Sequence, residues 1–325
     1  MNYKWGIIGP GKIANKFAAA LELTEGAVLQ AVASRDAERA REFAARFGAP
    51  RHYGSYEELA SDPSIDLVYI ATPHGYHCEH ARLCLANGKA VLCEKPMALS
   101  NRQVQAMIGV ARANQCLLME AMWTRFLPIM ERVTGLIGEG QLGAIRHVRA
   151  DFGFKAPFNP EGRLYNLRLG GGSLLDIGIY PLFLCLFLLG EPDELLASAH
   201  LAPTGADETC QALFHYRDGR SAAIHSTLAC QTSITAEIAG TEGMIRIPTP
   251  WYKNDRFLLE RTGEEPRSFD LTPMVNGFEY QIREMMSCLD RGLTESPRMP
   301  HSLSLAMSRV MDKIRGQCGI RYPGE

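Results

Sequence analysis

Lys4-Trp5-Gly6-Ile7-Ile8-Gly9-Pro10-Gly11-Lys12-Ile13-Ala14 lies near the start of the chain and decides its fold. Lys4–Ile8 is an apolar, strand-like run stopped by Gly9, and Ile13–Leu23 has helical spacing. Between them Gly9 allows a tight turn, Gly11 lets a ligand approach the backbone, and Ala14 lets the helix pack closely on the strand. A helix N-terminus at this point offers unpaired N–H groups and a positive dipole end to a pyrophosphate. Glycine turns are common, but one between a strand and a helix, with a second strand after it, meets the dinucleotide fingerprint. Gly9, Gly11, Lys12 and Ile13 are therefore the expected phosphate-binding residues.

The same rhythm continues outward. Val28–Ser34 reads as a strand, and Asp36–Phe47 as a helix with Asp36 as N-cap. Leu67–Ala71 is a buried run, His77–Asn87 a helix closed by Gly88, Ala90–Cys93 a strand, Ser100–Asn114 a helix and Cys116–Glu120 a strand. Such alternation implies an α/β fold with a doubly wound parallel sheet. After about residue 125 strands succeed one another from Ile145 to Leu259, which predicts a second, α+β domain on a large, mainly antiparallel open sheet. Helices are expected at Gly172–Leu189, Phe278–Arg291 and Leu303–Arg315, and Lys155–Gly172 reads as a long loop of the kind that often carries function. The expected domains are 1–123, for cofactor binding, and 124–325, for substrate binding and dimerisation, with the last helix returning to the first domain.

Bulk properties narrow the class. The chain has 325 residues, 46% hydrophobic and 22% charged, an ordinary globular composition. A net charge of −2 gives no reason to expect nucleic acid or an anionic membrane as partner. The apolar stretch Ile177–Leu189 reads as too short to span a bilayer, which needs about 20 residues. Met1-Asn2-Tyr3-Lys4 runs straight into a strand, and nine cysteines lack a Cys-x-x-Cys pair, so reduced thiols in a cytoplasmic protein are expected.

The end of the second strand bears on the cofactor. An NAD-binding domain usually carries Asp or Glu there for the ribose hydroxyls. Here stand Ser34 and Arg35, with Arg39 one helical turn on. A hydroxyl and guanidinium groups suit a 2′-phosphate, so the pattern favours NADP(H) over NAD(H).

Three more segments end strands: Thr72-Pro73-His74, Glu94-Lys95-Pro96 and Glu120-Ala121-Met122-Trp123. An ammonium group and a ring-locked turn at a strand's carboxyl end poorly continue a sheet but suit a ligand crevice. With Ala71-Thr72-Pro73-His74, Gly88-Lys89-Ala90-Val91-Leu92-Cys93-Glu94-Lys95-Pro96 and Gly171–Pro181, they make the chain resemble the glucose-fructose oxidoreductase / inositol 2-dehydrogenase (Gfo/Idh/MocA) family over nearly its whole length. Glu120–Phe126 and the Asp176/Tyr180 pair look most like its dimeric dihydrodiol dehydrogenase / NADP-dependent D-xylose dehydrogenase branch. The resemblance implies hydride transfer between nicotinamide and a vicinal diol, an aldose or a related dicarbonyl, and a homodimer through the C-terminal sheet. It also implies cofactor contacts from Thr72, Pro73, His77, Glu94, Lys95, Pro96, Trp123 and Arg125.

Alcohol oxidation needs a group to stabilise charge on oxygen and one to take a proton. Lys95, Tyr180 and Asp176 are the catalytic candidates; four residues apart, Asp176 and Tyr180 should share a helix face. The family usually has histidine where this chain has Tyr180, which leaves the terminal acid/base open between Tyr180 and Lys95. Trp123, Phe126, Phe154, Arg163, Asp176 and Tyr180 are the expected substrate-pocket residues, with packing as the plain alternative for the aromatics. His74, His77 and His80 recur every third residue, but no carboxylate or cysteine completes a metal set; His77 is expected to open a helix beside the cofactor and His80 to be solvated. The alternative function is a non-catalytic NAD(P)-binding sensor of the same fold, against which the intact Lys95 argues.

Overall fold

The computed structural model describes residues 2–324, and the chain divides into two compact units. One comprises Met1–Trp123 and Val275–Leu305, the other Thr124–Met274 and Ala306–Glu325. The region from 124 to 325, read from sequence as one domain, is thus split: Val275–Leu305 belongs to the first unit. Side-chain bonds explain why, since Asn276 Nδ2 donates to Lys16 O (2.9 Å) and Tyr3 Oη to Asp290 Oδ1 (2.7 Å).

The first unit winds β1 (Tyr3–Ile8), α1 (Lys12–Glu22), β2 (Ala27–Ala33), α2 (Ala37–Arg46), β3 (Arg51–Tyr53), α3 (Tyr56–Ser61), β4 (Leu67–Ile70), α4 (His77–Ala86), β5 (Ala90–Glu94), α5 (Asn101–Ala113) and β6 (Leu118–Ala121) into one sheet. All pairs are parallel, in the order β3-β2-β1-β4-β5-β6. Every residue of β4 and β5 is buried, as a parallel sheet covered on both faces demands. Asp36 caps α2 by accepting from Arg39 N (3.2 Å), and Gly88, at φ +74°, closes α4. β3 and α3 went unforeseen because three and six residues carry too little periodicity to read.

The second unit contains α6 (Pro128–Gly138), β7 (Ile145–Gly153), a π-turn (Leu174–Gly178) running into α7 (Ile179–Leu189), then β8 (Glu194–Leu201), β9 (Asp207–His215), β10 (Ser221–Thr227), β11 (Ala236–Gly240), β12 (Gly243–Ile247), β13 (Arg256–Arg261) and β14 (Arg267–Asp270). α8 (Glu279–Asp290) lies in the first unit, and α9 (His301–Cys318) starts there and runs on into the second. The eight-stranded sheet has the order β14-β13-β12-β11-β7-β10-β9-β8 and is antiparallel except for the β7/β10 pair. The helical stretch Leu167–Leu189 is long and apolar enough to cross a membrane, contrary to the reading from Ile177–Leu189 alone, but 89% of its most apolar window is buried in the protein, as in a core helix. The other face of the sheet exposes the cross-strand pair Leu196 and Leu213, at 73% and 61%. A ladder of ion pairs, Arg149–Glu237–Arg246–Glu260, crosses β7, β11, β12 and β13.

Candidate active site

The strand order reverses between β1 and β4, which is where open α/β sheets bind ligands. Gly9 ends β1 with φ +87°, and its N–H donates to Ala33 O (3.1 Å). A Cβ on Gly9 would lie 2.8 Å from Thr72 Cγ2 and 2.9 Å from Thr72 N, so only glycine fits. Gly11 is the N-cap of α1; no side chain caps the helix, and no acidic residue stands in its first turn. A Cβ there would meet only Gly9 O, at 3.9 Å. Uncapped N–H groups beside open space, with no carboxylate to repel an anion, fit a pyrophosphate.

At the end of β2, Ser34 is buried and its Oγ accepts from Asp36 N (3.2 Å), whereas Arg35 and Arg39 are exposed. Arg39 Nε donates to Pro10 O (3.2 Å), which ties α2 to the glycine turn. The Arg35 guanidinium lies 5.6 Å over the ring of Tyr76, a residue that sequence reasoning passed over.

His77 does open α4, but it is fully buried, with Nδ1 and Nε2 each 2.8 Å from a backbone carbonyl, of Pro96 and Thr72 respectively. Burial pushes its pKa down to about 4. Neutral with that pKa, the ring donates to one of the two carbonyls and packs against the other, filling the space between the turns after β4 and β5. His80, expected in solvent, is 8% exposed and hydrogen-bonds Thr72 Oγ1 through Nδ1 (3.0 Å). The inward face of α4 captures it, and burial lowers its pKa to about 4.

Lys95 follows the last residue of β5, and its peptide bond to Pro96 is cis. Glu94 turns inward: one carboxylate oxygen takes the Tyr69 hydroxyl and the other accepts from Lys95 N (3.2 Å). Burial raises its pKa. On the neighbouring strand, Glu120 is buried and accepts from Met97 N (2.9 Å); burial pushes its pKa up to about 7. Trp123 packs 5.1 Å from Phe278, and Lys16 Nζ stands 4.1 and 4.5 Å over the two rings. Neither Lys16 nor Glu120 had been assigned a role from the sequence, because an interior helix lysine and a strand carboxylate carry no motif.

In the second unit Asp176 lies within the π-turn and Tyr180 in the first turn of α7. Asp176 Oδ1 accepts from Arg163 Nη1 (2.9 Å), which brings together two expected pocket residues from the long loop and the helix. The Asp176 side chain is 9% exposed and that of Arg163 59%. Tyr180 stands 5.6 Å from Phe152 and 5.2 Å from Tyr252, and these two rings stack at 4.4 Å. Phe154 meets the edge of Phe152, at 6.5 Å. Tyr252 was missed; the aromatic pair after Pro250 was its one signal. Arg125 lies 4.5 Å over Phe187 and pairs with Glu131 (3.1 Å), and Phe126 is 1% exposed.

A glycine phosphate turn at the switch point and a lysine at an adjoining strand end, on a chain whose other unit presents a carboxylate and a phenol beside stacked rings, define the class: an NAD(P)-dependent oxidoreductase acting on CH–OH groups. Residues 3–122 match the model of the oxidoreductase family with the NAD-binding Rossmann fold, and residues 130–246 match the GFO/IDH/MocA C-terminal domain. The chain belongs to this family, as its motifs implied. It is 38% identical to trans-1,2-dihydrobenzene-1,2-diol dehydrogenase of Xenopus tropicalis, over 99% of this chain and 100% of that one. The human enzyme of the same name is 35% identical, over 99% of both chains. A 3-ketoreductase from Actinomadura kijaniata, solved with NADP and TDP-benzene, superposes with a TM-score of 0.88 at 28% identity over 98% of each chain. That enzyme has also been solved with a tyrosine changed to phenylalanine and with a lysine changed to alanine.

Proposed function

We propose that this protein is an NADP-dependent dehydrogenase of vicinal diols or aldoses that also reduces related carbonyl compounds. The observation that carries the reading is the meeting of the glycine turn, the Arg35/Arg39 surface and the Lys95 turn at the carboxyl ends of β1, β2 and β5. NADP(H) would supply the hydride exchange, with Gly11 and the first turn of α1 on its pyrophosphate and Ser34, Arg35 and Arg39 on its 2′-phosphate. Lys95 donates a hydrogen bond to the substrate oxygen and stabilises the charge that develops there. Tyr180 takes or returns the hydroxyl proton. Asp176, held by Arg163, accepts a hydrogen bond from a neighbouring substrate hydroxyl, and the Phe152/Tyr252 stack suits the apolar face of a ring or sugar. Relatives named as dihydrodiol dehydrogenases favour a diol.

The test is a panel of trans-dihydrodiols, aldoses and dicarbonyls run with NADP(H) and NAD(H) in parallel. Turnover of a diol or aldose with preference for NADP supports the reading. Tight NADPH binding with no turnover of any member refutes it. We propose further that the protein is cytoplasmic, in keeping with nine free cysteines, and that it works as a homodimer. Exposed leucines beside a ladder of both charge signs suit a self-complementary contact on the open sheet face.

A further inference from the structure

The helix that carries Asp176 and Tyr180 begins with a register fault, and a buried carboxylate holds it. Asp207, the first residue of β9, is fully buried. Its Oδ2 accepts from Ser173 Oγ (2.8 Å) and Leu174 N (2.6 Å), the entry to the π-turn. Its Oδ1 has no hydrogen-bond partner and sits 2.1 Å from where a Cβ on Gly172 would stand. Gly172, at φ +126°, admits no side chain for both reasons. Ser226 on β10 touches Ser173 Oγ through its own Oγ (3.0 Å) and would clash with a Cβ on Gly178, at 2.8 Å. Asp207 and Ser226 thus grip the two ends of the five-residue turn. Tyr322 near the C-terminus donates to Gly171 O (2.8 Å) and completes the clamp.

Burying an anion against one hydroxyl and backbone N–H groups, with Oδ1 unpartnered, is costly. π-turns are rare and frequent at functional sites, where the extra residue redirects side chains. The geometry points to Asp207 as a positioning residue of the reaction: as a carboxylate it holds the π-turn in register, so that Asp176 meets Arg163 and Tyr180 stands beside Phe152 and Tyr252. This rests on the reading of Asp176 and Tyr180 as substrate-side groups. A proton on Asp207 removes the negative charge and weakens both bonds that Oδ2 accepts. Burial raises its pKa to about 6, so the loosened form appears just below neutrality. The other titratable groups that face it are the thiols of Cys210 on the same strand and Cys318 at the end of α9, both pushed up by burial, and the phenol of Tyr322 across Gly172. Neighbouring Glu208 bonds to Tyr165 Oη (3.2 Å).

The test uses the full chain and three proteins: wild type, Asp207→Asn and Ser173→Ala. Asparagine mimics the protonated acid, so kcat/KM at pH 7.5 should fall between about ten- and a hundred-fold, the usual cost of a small misplacement. The variant's acidic limb near pH 6 should vanish, while its NADPH affinity stays within two-fold by fluorescence titration. Ser173→Ala removes one bond to the carboxylate and should move the wild-type limb to higher pH; Glu120, which titrates near 7, is left unchanged by that substitution. Hydrogen exchange by mass spectrometry, corrected for intrinsic rates, should show protection of residues 172–180 falling from pH 7.5 to pH 5 in wild type and constantly low in Asp207→Asn. Exchange needs no substrate, so it decides the positioning claim even if wild type turns over nothing and the functional reading falls. A wild-type limb and wild-type kcat/KM in Asp207→Asn, a limb unmoved by Ser173→Ala, NADPH affinity lost together with activity, or protection that ignores pH would each overturn the inference.

Discussion

Replacing Arg35 by alanine should weaken NADPH much more than NADH. Arg35 is exposed at the end of β2, beside Ser34 and one turn from Arg39, which leans on the glycine turn. A hydrogen bond between a guanidinium and a phosphate is worth about 1.5–3 kcal/mol. Exposure and screening argue for the lower half, about 1.5–2 kcal/mol. At 1.4 kcal/mol per decade the Kd for NADPH should rise about 10- to 30-fold. The guanidinium also lies 5.6 Å over Tyr76, and any stacking that it lends to an adenine, about 0.5–1 kcal/mol, is lost for both cofactors alike. The ratio of the two Kd values should therefore change by about an order of magnitude, and by more when Arg39→Ala is added. Fluorescence titration of both reduced cofactors at low and high salt measures this, and the preference for NADPH should shrink as salt rises. An equal loss for NADPH and NADH, or a ratio that salt does not alter, would refute a 2′-phosphate role for this surface.

Lys95→Met should lower kcat by about 10²–10⁴-fold while NADPH still binds, and full turnover on the best substrate would remove Lys95 from the chemistry. Glu120→Gln should flatten the pH dependence of stability. The folded-state pKa is raised from 4.5 to about 7, so the folded form keeps its proton where the unfolded form has lost it, and stability falls as pH climbs through that window. At about 1.4 kcal/mol per pKa unit the fall reaches at most about 3 kcal/mol. Urea unfolding of the first unit at pH 5 and pH 8 should show it in wild type and lose it in the variant, and equal pH dependence in both would disprove it. Leu213→Arg should convert a dimer into a monomer by light scattering at micromolar concentration, and a wild type that is already monomeric would end the dimer proposal.

The first unit was legible because glycine turns and apolar runs report directly on strand, turn and helix. Gly9, Gly11, Asp36 and Gly88 each stand where their chemistry requires. The second unit was legible in its strands and less so in its details. α6 starts on Pro128, which suits a first helical turn but reads as a breaker. The π-turn left no trace in the pattern, because one extra backbone residue does not alter the apolar character of Leu174–Leu189. Tyr252 reaches Phe152 through tertiary folding alone, and His80 was misjudged because an imidazole gives no hint of which face of α4 it occupies. Asp207 carries no motif in the sequence; what sets it apart is its burial, which spacing does not encode.

The contact between Gly9 and Thr72 has a reach beyond the phosphate turn. Thr72 O faces one nitrogen of the His77 ring, and Pro96 O faces the other. Anything that enlarges residue 9 must displace Thr72, and Thr72 packs through the His77 ring against the peptide that follows Pro96. The glycine turn and the turn that carries Lys95 are therefore one packed assembly, although 86 positions separate Gly9 from Lys95. On the proposed reading, a change of dinucleotide would be made at Arg35 and Arg39, whereas alterations in the glycine turn would reach the Lys95 turn as well.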